Sequence, residues 1–183
     1  MKLMIASDIH GSLYYCDLML KRFNEENADK LILLGDILNQ QNGEDLPKDY
    51  NPEKVAEELN KVKDKIIAVK GSCDTDSEQK SLDFSVNEEY TVIKTEKRDL
   101  YATHGHLYNK ETPPPLKRGD VLLCGNTHVP LFIEGGEDFI FINPGSVSVP
   151  LENSHHGYVI YEDNKFFWKD IETAGMKGQC TLQ

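Results

Sequence analysis

Three short apolar runs in the first 75 residues each end in a polar turn, and this pattern constrains the fold most. The runs are residues 3–6, 31–34 and 66–69. Two amphipathic segments separate them, one over about 13–25 after Ser12 and one that begins at Asn51-Pro52, and both have the spacing and start signals of helices. Continuous apolar strands are typical of sheets covered on both faces. The pattern therefore predicts a β-α-β-α-β order in an α/β protein.

The second half of the chain is rich in predicted strands. They lie at about 89–94, 98–103, 120–124, 129–134, 138–142, 157–161 and 165–169. A length of 183 residues suits one domain, which we assign to residues 1–174. Residues 175–183 are predicted to form a mobile tail.

Charge and composition exclude several classes of partner. With 20 basic and 31 acidic residues the net charge is −11, which disfavours duplex nucleic acid and anionic membranes. No run approaches ~20 apolar residues, so no transmembrane helix is predicted. No secretion signal is recognisable, and we expect the four cysteines to be free thiols in the cytoplasm.

Residues suited to metal binding recur where the predicted strands end. They occur in Asp8-Ile9-His10, Gly35-Asp36, Gly71-Ser72-Cys73-Asp74, Thr103-His104-Gly105-His106 and Gly125-Asn126-Thr127-His128. Loops beyond the carboxyl ends of neighbouring strands converge on one crevice, so these side chains are expected to meet. Taken singly, each residue is more often a local turn or capping residue. Together, carboxylate and imidazole groups suit Mn²⁺, Fe, Zn²⁺ or Ni²⁺ better than Ca²⁺. The pair His155-His156 lies in a polar loop and is predicted to be exposed.

These motifs, in this order, resemble those of the calcineurin-like metallophosphoesterases, and most of all the YfcE-like group of bacterial phosphodiesterases. The family pattern is D-x-H, G-D, G-N-H-[D/E], H and G-H-x-H. Asn143-Pro144-Gly145-Ser146 is also similar to the family's final turn, which we interpret as structural support for the metal-binding loops. The resemblance implies a two-sheet β-sandwich flanked by helices, in four α/β/β/α layers.

The resemblance also implies the metal ligands and the reaction. A first ion would be held by Asp8, His10, Asp36 and His128. A second would share Asp36 and use the positions of Ser72, His104 and Asn126. Two such ions clamp a phosphate and activate a water for attack on phosphorus. Mn²⁺ is our first expectation, with Ni²⁺, Zn²⁺ or Fe as alternatives.

Two positions depart from the family pattern, and both belong to the second ion. Ser72 replaces the motif Asn, and Asn126 replaces the first His of G-H-x-H. Hydroxyl and amide oxygens are weaker ligands than imidazole for transition metals. We therefore predict one firmly bound ion and a second that is weak or absent. Three explanations of these substitutions fit the sequence. The lineage runs a functional site on weaker ligands, the site is decaying toward a non-enzymatic role, or the substitutions are engineered.

The remaining candidates concern catalysis and substrate. Cys73 replaces the usual His after the motif Asn, and we predict that it protonates the leaving group with Asp74 as its orienting residue. Asn39 either borders the substrate pocket or is an ordinary loop residue. His106 either contacts substrate or supports a ligand.

The resemblance, together with the retained Asp and His ligands, thus implies a metal-dependent phosphodiesterase that acts on small phosphodiesters or phosphomonoesters. The oligomers formed by members of the family suggest that this chain also self-associates, but no feature of the sequence fixes the number of subunits. The alternative is a binding or scaffold module on the same fold, as in the small retromer subunit of eukaryotes. A dinucleotide-binding domain is disfavoured because no G-x-G-x-x-G follows the first strand.

Overall fold

The predicted strands and helices are present, with most boundaries within two residues of the expected ones. The computed structural model describes residues 1–40, 45–75, 77–135 and 139–182. In chain order the elements are β1 (Leu3–Ala6), α1 (Leu13–Glu25), β2 (Lys30–Leu33), α2 (Pro52–Asn60), β3 (Ile66–Ala68), β4 (Tyr90–Lys94), β5 (Asp99–Thr103), β6 (Val121–Cys124), β7 (Leu131–Gly135), β8 (Phe139–Asn143), β9 (Gly157–Glu162), β10 (Lys165–Asp170) and β11 (Met176–Thr181). Short 3-10 helices lie at Lys63–Lys65 and Glu78–Ser81. Asp138, the first residue of one predicted strand, and Gln183, the last residue of the predicted tail, lie outside the described residues.

The strands form two sheets. The six-stranded sheet has the order β11-β10-β9-β1-β2-β3, and the five-stranded sheet has the order β4-β5-β6-β8-β7. β1, β2 and β3 are parallel neighbours, as are β5, β6 and β8. In each sheet, therefore, the loops that follow these parallel strands all leave from the same end of the strands.

Both faces of the six-stranded sheet are buried at its inner strands β9, β1 and β2, which explains their continuous apolar runs. Along β1, Leu3 and Ile5 pack between the sheets, whereas Met4 and Ala6 pack in the cluster that contains the helices. Successive side chains of a strand point to opposite faces, so each face needs a cover. The fold class is the expected two-sheet sandwich. Among the described residues both α-helices cover the six-stranded sheet, and the five-stranded sheet has a separate small apolar cluster around Leu122 and Phe141.

Both helices begin at the capping residues that the sequence indicates. The Ser12 hydroxyl accepts from the Tyr15 N–H at 3.4 Å and donates to the Lys48 carbonyl at 2.5 Å. The Asn51 side chain accepts from the Lys54 N–H at 3.2 Å. Removing such a cap costs about 1 kcal/mol. Because Ser12 closely follows the first polar turn, its cap also anchors that turn to α1.

The end of the chain differs from the sequence-based expectation of a mobile tail. β11 pairs antiparallel with β10, and Trp168 lies beside Gly178 in the ladder. Beyond β11, the Asn164 amide donates to the Leu182 carbonyl at 2.7 Å, and Leu182 is buried. β11 has a weak apolar pattern because many of its side chains are exposed, so its order derives from backbone pairing with β10.

The prediction that His155 and His156 are exposed is wrong. Both side chains are half-buried, and the His156 ring stacks on Tyr15 with centroids 4.0 Å apart. His156 Nδ1 also donates to the Val147 carbonyl at 2.9 Å.

In the part of the chain that the structure describes, no helix has the length and apolar character needed to cross a bilayer.

Candidate metal centre

The candidate site lies where polar loops from both sheets converge. β1 leads to Asp8 and His10, β2 leads to Asp36, and β3 leads to the turn at residues 71–74. β5 leads to His104, and β6 leads to the turn at residues 125–128. The five predicted Asp and His ligands occur together in groups of ligand atoms that lie within 4.8 Å of one another. Asp8, His10 and His128 form one group, and Asp8, Asp36 and His104 form another.

The backbone adopts the left-handed conformation at most of these positions. Five of the seven predicted ligands have a positive φ, namely Asp8 (59°), His10 (47°), Asp36 (50°), Asn126 (65°) and His128 (58°). Non-glycine residues rarely adopt this conformation, and such strain concentrates at functional sites. The loops around the site therefore hold these five residues in a conformation that each one alone disfavours.

Backbone carbonyls orient the three histidines of the centre. Nδ1 of His10 donates to the Asn39 carbonyl at 2.8 Å, Nδ1 of His104 donates to the Leu34 carbonyl at 2.7 Å, and Nδ1 of His128 donates to the Val149 carbonyl at 2.9 Å. Such bonds fix the tautomer and leave Nε2 as the ligand atom. All three rings therefore present Nε2 toward the carboxylates of the centre.

Short contacts join these nitrogen atoms to the two carboxylates. Oδ2 of Asp36 lies 3.3 Å from Nε2 of His104, and Oδ1 of Asp8 lies 3.3 Å from Nε2 of His128. The Nε2 atoms of His10 and His128 are 3.3 Å apart. Two imidazole lone pairs at this separation repel unless a proton or a cation lies between them. The arrangement thus favours positive charge at the centre.

The pKa values show the same preference. Burial disfavours the charged form of His104, yet the Asp36 and Asp8 carboxylates outweigh it and raise its pKa to about 9. Burial likewise opposes protonation of His128, and Asp8 raises its pKa. Burial raises the pKa of Asp36, but His104, the Cys73 amide and His10 together hold that pKa well below its ordinary value. The Asp36 carboxylate therefore retains its negative charge and stabilises cations beside it.

Two buried ligand atoms provide a direct test of whether a metal fits here. Oδ1 of Asp8 and Nε2 of His104 are buried and make no hydrogen bond of good geometry among the described residues, although each lies 3.3 Å from a neighbouring ligand atom. Buried polar atoms are nearly always paired, so each orphan requires an explanation. Because both point into a set of carboxylate and imidazole donors, a divalent cation accounts for them. The residues present fit the metal that the sequence predicts.

The two substituted positions lie at the exposed side of the centre. Ser72 is exposed, and its hydroxyl donates to Oδ2 of Asp36 at 3.2 Å. Asn126 is also exposed, and its backbone N–H donates to Oδ2 of Asp8 at 3.2 Å. The sequence-predicted ligand roles of both side chains stay predictions.

Cys73 and Asp74 lie on the same turn but have different surroundings. Cys73 is half-buried, and burial together with the charge of Asp36 raises its pKa to about 12. The Asp74 carboxylate accepts from the N–H groups of Asp36 (2.9 Å), Ile37 (2.9 Å) and Gly71 (2.7 Å). Both Asp74 oxygens are therefore engaged in holding the Asp36 turn. The catalytic role assigned to this pair stays a prediction.

Each of the two predicted substrate residues lies next to a histidine of the centre. Asn39 supports a ligand through its backbone, because its carbonyl accepts the hydrogen bond from His10. His106 lies 5.4 Å from the His104 ring between centroids, and its Nε2 lies 3.8 Å from Oε2 of Glu89. Contact with substrate stays a prediction for both.

Ser146 and Ser148 are site residues whose contacts the sequence does not reveal. Both hydroxyls donate to the carbonyl of Asp8, at 2.8 and 3.1 Å. Asn143 of the same segment donates to the Gly125 carbonyl at 2.8 Å. The Asn143-Pro144-Gly145-Ser146 motif was the available signal, and it indicated structural support without naming the atoms involved.

Comparison with known proteins gives consistent matches over nearly the whole chain. Residues 1–165 match the family model described as the calcineurin-like phosphoesterase superfamily domain. Phosphodiesterase YfcE of Escherichia coli K12 is 44% identical over 164 residues, which cover 90% of this chain and 89% of that protein. The solved structure of YfcE, a phosphoesterase from E. coli, matches with a TM-score of 0.96 at 38% identity and covers 100% of both chains.

A more distant structural match is Vps29 of Entamoeba histolytica in complex with Zn²⁺. Its TM-score is 0.67 at 17% identity, and the match covers 100% of both chains. At this identity the similarity shows the fold alone.

Proposed function

Because the chain belongs to the calcineurin-like phosphoesterase superfamily, we propose that it is a metal-dependent phosphodiesterase that acts at the centre described above. The observation that carries the proposal is the convergence of the five Asp and His ligands from the loops of both sheets. The buried orphan atoms of Asp8 and His104 support it, because a cation would satisfy both. The substrate class is a small phosphodiester or phosphomonoester.

The residues have separate tasks in this reaction. When bound, the divalent ions supply Lewis acidity and an activated water. Asp8 and Asp36 supply the negative charge that retains cations, and the carbonyl-anchored histidines supply nitrogen donors in fixed orientations. The Cys73 thiol, with a pKa of about 12, stays protonated at neutral pH unless a cation displaces its proton.

We propose that the two halves of the centre differ in strength. Asp8, His10, Asp36 and His128 give the first ion two carboxylates and two imidazoles. The second ion has Asp36 and His104 as strong ligands, while Ser72 and Asn126 offer weaker oxygen atoms. Mn²⁺ is the first metal to test, followed by Ni²⁺, Zn²⁺ and Fe²⁺.

The scaffold hypothesis is weaker than the enzyme hypothesis. It draws on the substitutions at Ser72 and Asn126 and on the fold that the chain shares with Vps29. The intact Asp and His ligands and the 44% identity to a phosphodiesterase favour catalysis.

The free state of all four cysteines agrees with our proposal of a cytoplasmic location.

The experiment that tests the proposal is hydrolysis of bis-p-nitrophenyl phosphate. The protein is stripped with a chelator, dialysed, and assayed with Mn²⁺, Ni²⁺, Zn²⁺ or Mg²⁺ added singly. We expect turnover that requires added metal and that falls at least ~100-fold in an Asp36→Asn variant, because Asp36 is shared by both halves.

A Ser72→Asn, Asn126→His double variant serves as the matched comparison. If the second half is weak, this variant reaches full activity at a lower metal concentration than the wild type. An inactive wild type with an active double variant would favour the scaffold hypothesis. Inactivity of both with every metal would contradict the enzyme proposal.

A further inference from the structure

The Cys73 thiol belongs to a third group of ligand atoms in the centre. Its Sγ lies within 4.8 Å of a ligand atom of His10 and a ligand atom of Asp36. The family pattern does not assign a ligand to this position, and the sequence suggested a proton donor there instead. The geometry places sulfur among the donors.

The backbone fixes this position of the thiol. The Cys73 N–H donates to Oδ1 of Asp36 at 2.8 Å, so the residue is hydrogen-bonded to the shared carboxylate. The Asp74 carboxylate in turn binds the N–H groups of Gly71 and Asp36. The turn that carries Cys73 is therefore tied to Asp36 from both sides.

The same centre lacks strong donors at the two substituted positions. The Ser72 hydroxyl donates its hydrogen to Asp36, and Asn126 donates to Asp8 through its backbone N–H. Both side chains are exposed, whereas Cys73 is half-buried beside His10 and Asp36. Cys73 Sγ thus offers a soft donor beside His10 and Asp36, in addition to the oxygen and nitrogen donors of the first ion.

We propose that Cys73 Sγ is a direct ligand of a divalent ion held between His10 and Asp36. On binding, the S–H bond breaks, the S–metal bond forms and the proton leaves to solvent, without any change in oxidation state. A thiolate adds one negative charge and a soft donor, which favours Zn²⁺ and other thiophilic ions over Mn²⁺. This inference rests on the proposed function only in requiring that the centre binds metal.

The test is Co²⁺ titration of the chelator-stripped protein, followed by optical absorption. We expect a near-ultraviolet sulfur-to-cobalt charge-transfer band that saturates with the visible ligand-field bands. The charge-transfer band should vanish in Cys73→Ser and Cys73→Ala, while the ligand-field bands persist. Cys180→Ser, which removes a half-buried thiol from β11, should keep both sets of bands.

A competition measurement gives a second readout. We expect the Cys73→Ser substitution to lower the affinity for Zn²⁺ and to lower the affinity for Mn²⁺ much less. The factor for Zn²⁺ should be at least ~10 times the factor for Mn²⁺. Wild-type protein that binds Co²⁺ without a charge-transfer band, or a band that persists in Cys73→Ser, would overturn the inference. Hydrolysis of bis-p-nitrophenyl phosphate by the same sample would then show that the proposed function survives on other ligands. Failure of the wild type to bind any cation would overturn both proposals.

Discussion

Ser146 Oγ donates a 2.8 Å hydrogen bond to the carbonyl oxygen of Asp8 across the interface between the two sheets. The same hydroxyl accepts from the Val149 N–H at 2.9 Å, and the Val149 carbonyl accepts from Nδ1 of His128 at 2.9 Å. Ser146 is fully buried. One hydroxyl therefore links a ligand that follows the six-stranded sheet to a ligand that follows the five-stranded sheet.

We expect Ser146→Ala to weaken metal binding as well as stability. The variant leaves the N–H groups of buried Ser148 and half-buried Val149 without their acceptor, which costs about 1–3 kcal/mol of unfolding free energy. Looser placement of Asp8 and His128 should lower Mn²⁺ affinity by ~10–100-fold, the range for residues that orient ligands. Urea unfolding and calorimetric Mn²⁺ titration measure the two effects.

The matched control for this prediction is Ser85→Ala, because Ser85 is exposed. It should change stability by less than about 0.5 kcal/mol and leave Mn²⁺ affinity unchanged. Loss of stability in Ser146→Ala with wild-type metal affinity would show that Ser146 supports the fold and does not position the ligands.

Gly71 allows the turn that follows β3 to approach Asp36 closely. A Cβ at Gly71 would lie 2.1 Å from both the backbone nitrogen and Oδ1 of Asp36, and the backbone nitrogen has little freedom to move. We expect Gly71→Ala to displace Asp36, to cost about 1–3 kcal/mol of stability and to abolish detectable Mn²⁺ binding. Denaturant unfolding and metal titration test this expectation.

Gly178 in β11 provides the control, because a Cβ there meets nothing within 4 Å. Gly178→Ala should be neutral or slightly stabilising and should bind metal as the wild type does. Wild-type Mn²⁺ affinity in Gly71→Ala would mean that the turn relaxes without moving Asp36.

The elements that sequence could predict are those that local chemistry determines. The strand that precedes Asp8 and the helix that follows Ser12 each depend on an apolar run and on a nearby polar residue. The candidate ligands were predictable for a similar reason, since strand ends converge in this class of fold.

The rest depends on contacts between distant segments. Ser146 reaches the Asp8 carbonyl across 138 positions of sequence, and no local pattern encodes that bond. β11 was interpreted as a tail because its side chains carry little apolar signal, whereas its backbone pairs with β10. His156 looked exposed because its partner, Tyr15, lies on α1 at the other end of the chain.

Asp74 is predicted to act through the backbone of the Asp36 turn. Asp74→Asn replaces one carboxylate oxygen with an NH₂ group that must face a backbone N–H. We expect a loss of about 2–3 kcal/mol of unfolding free energy, since the bonds to this buried carboxylate are charge-assisted. Thermal and urea unfolding measure it, with the exposed Asp83→Asn as the control. A variant as stable as the wild type but slower in hydrolysis would instead favour the role of Asp74 in orienting Cys73.

Glu26 should make stability depend on pH in the acid range. It is the C-cap residue of α1, and its carboxylate contacts Nζ of Lys169 at 2.5 Å, Nζ of Lys2 at 3.2 Å and the donating hydroxyl of Tyr158 at 3.0 Å. Burial raises the pKa of Glu26, but the hydrogen bonds and charges of these partners outweigh it and lower the pKa below its ordinary value.

A depressed pKa in the folded state means that ionised Glu26 stabilises the fold above the unfolded pKa of about 4.3. This stability is lost as pH falls through the folded-state pKa. We therefore expect Glu26→Gln to cost about 1–3 kcal/mol at pH 7, and this cost should shrink steadily as the pH falls below about 4. Urea unfolding at matched pH values measures the difference, with the more exposed Glu25→Gln as the control. A cost that stays constant between pH 7 and pH 3 would show that Glu26 acts by packing and not through its charge.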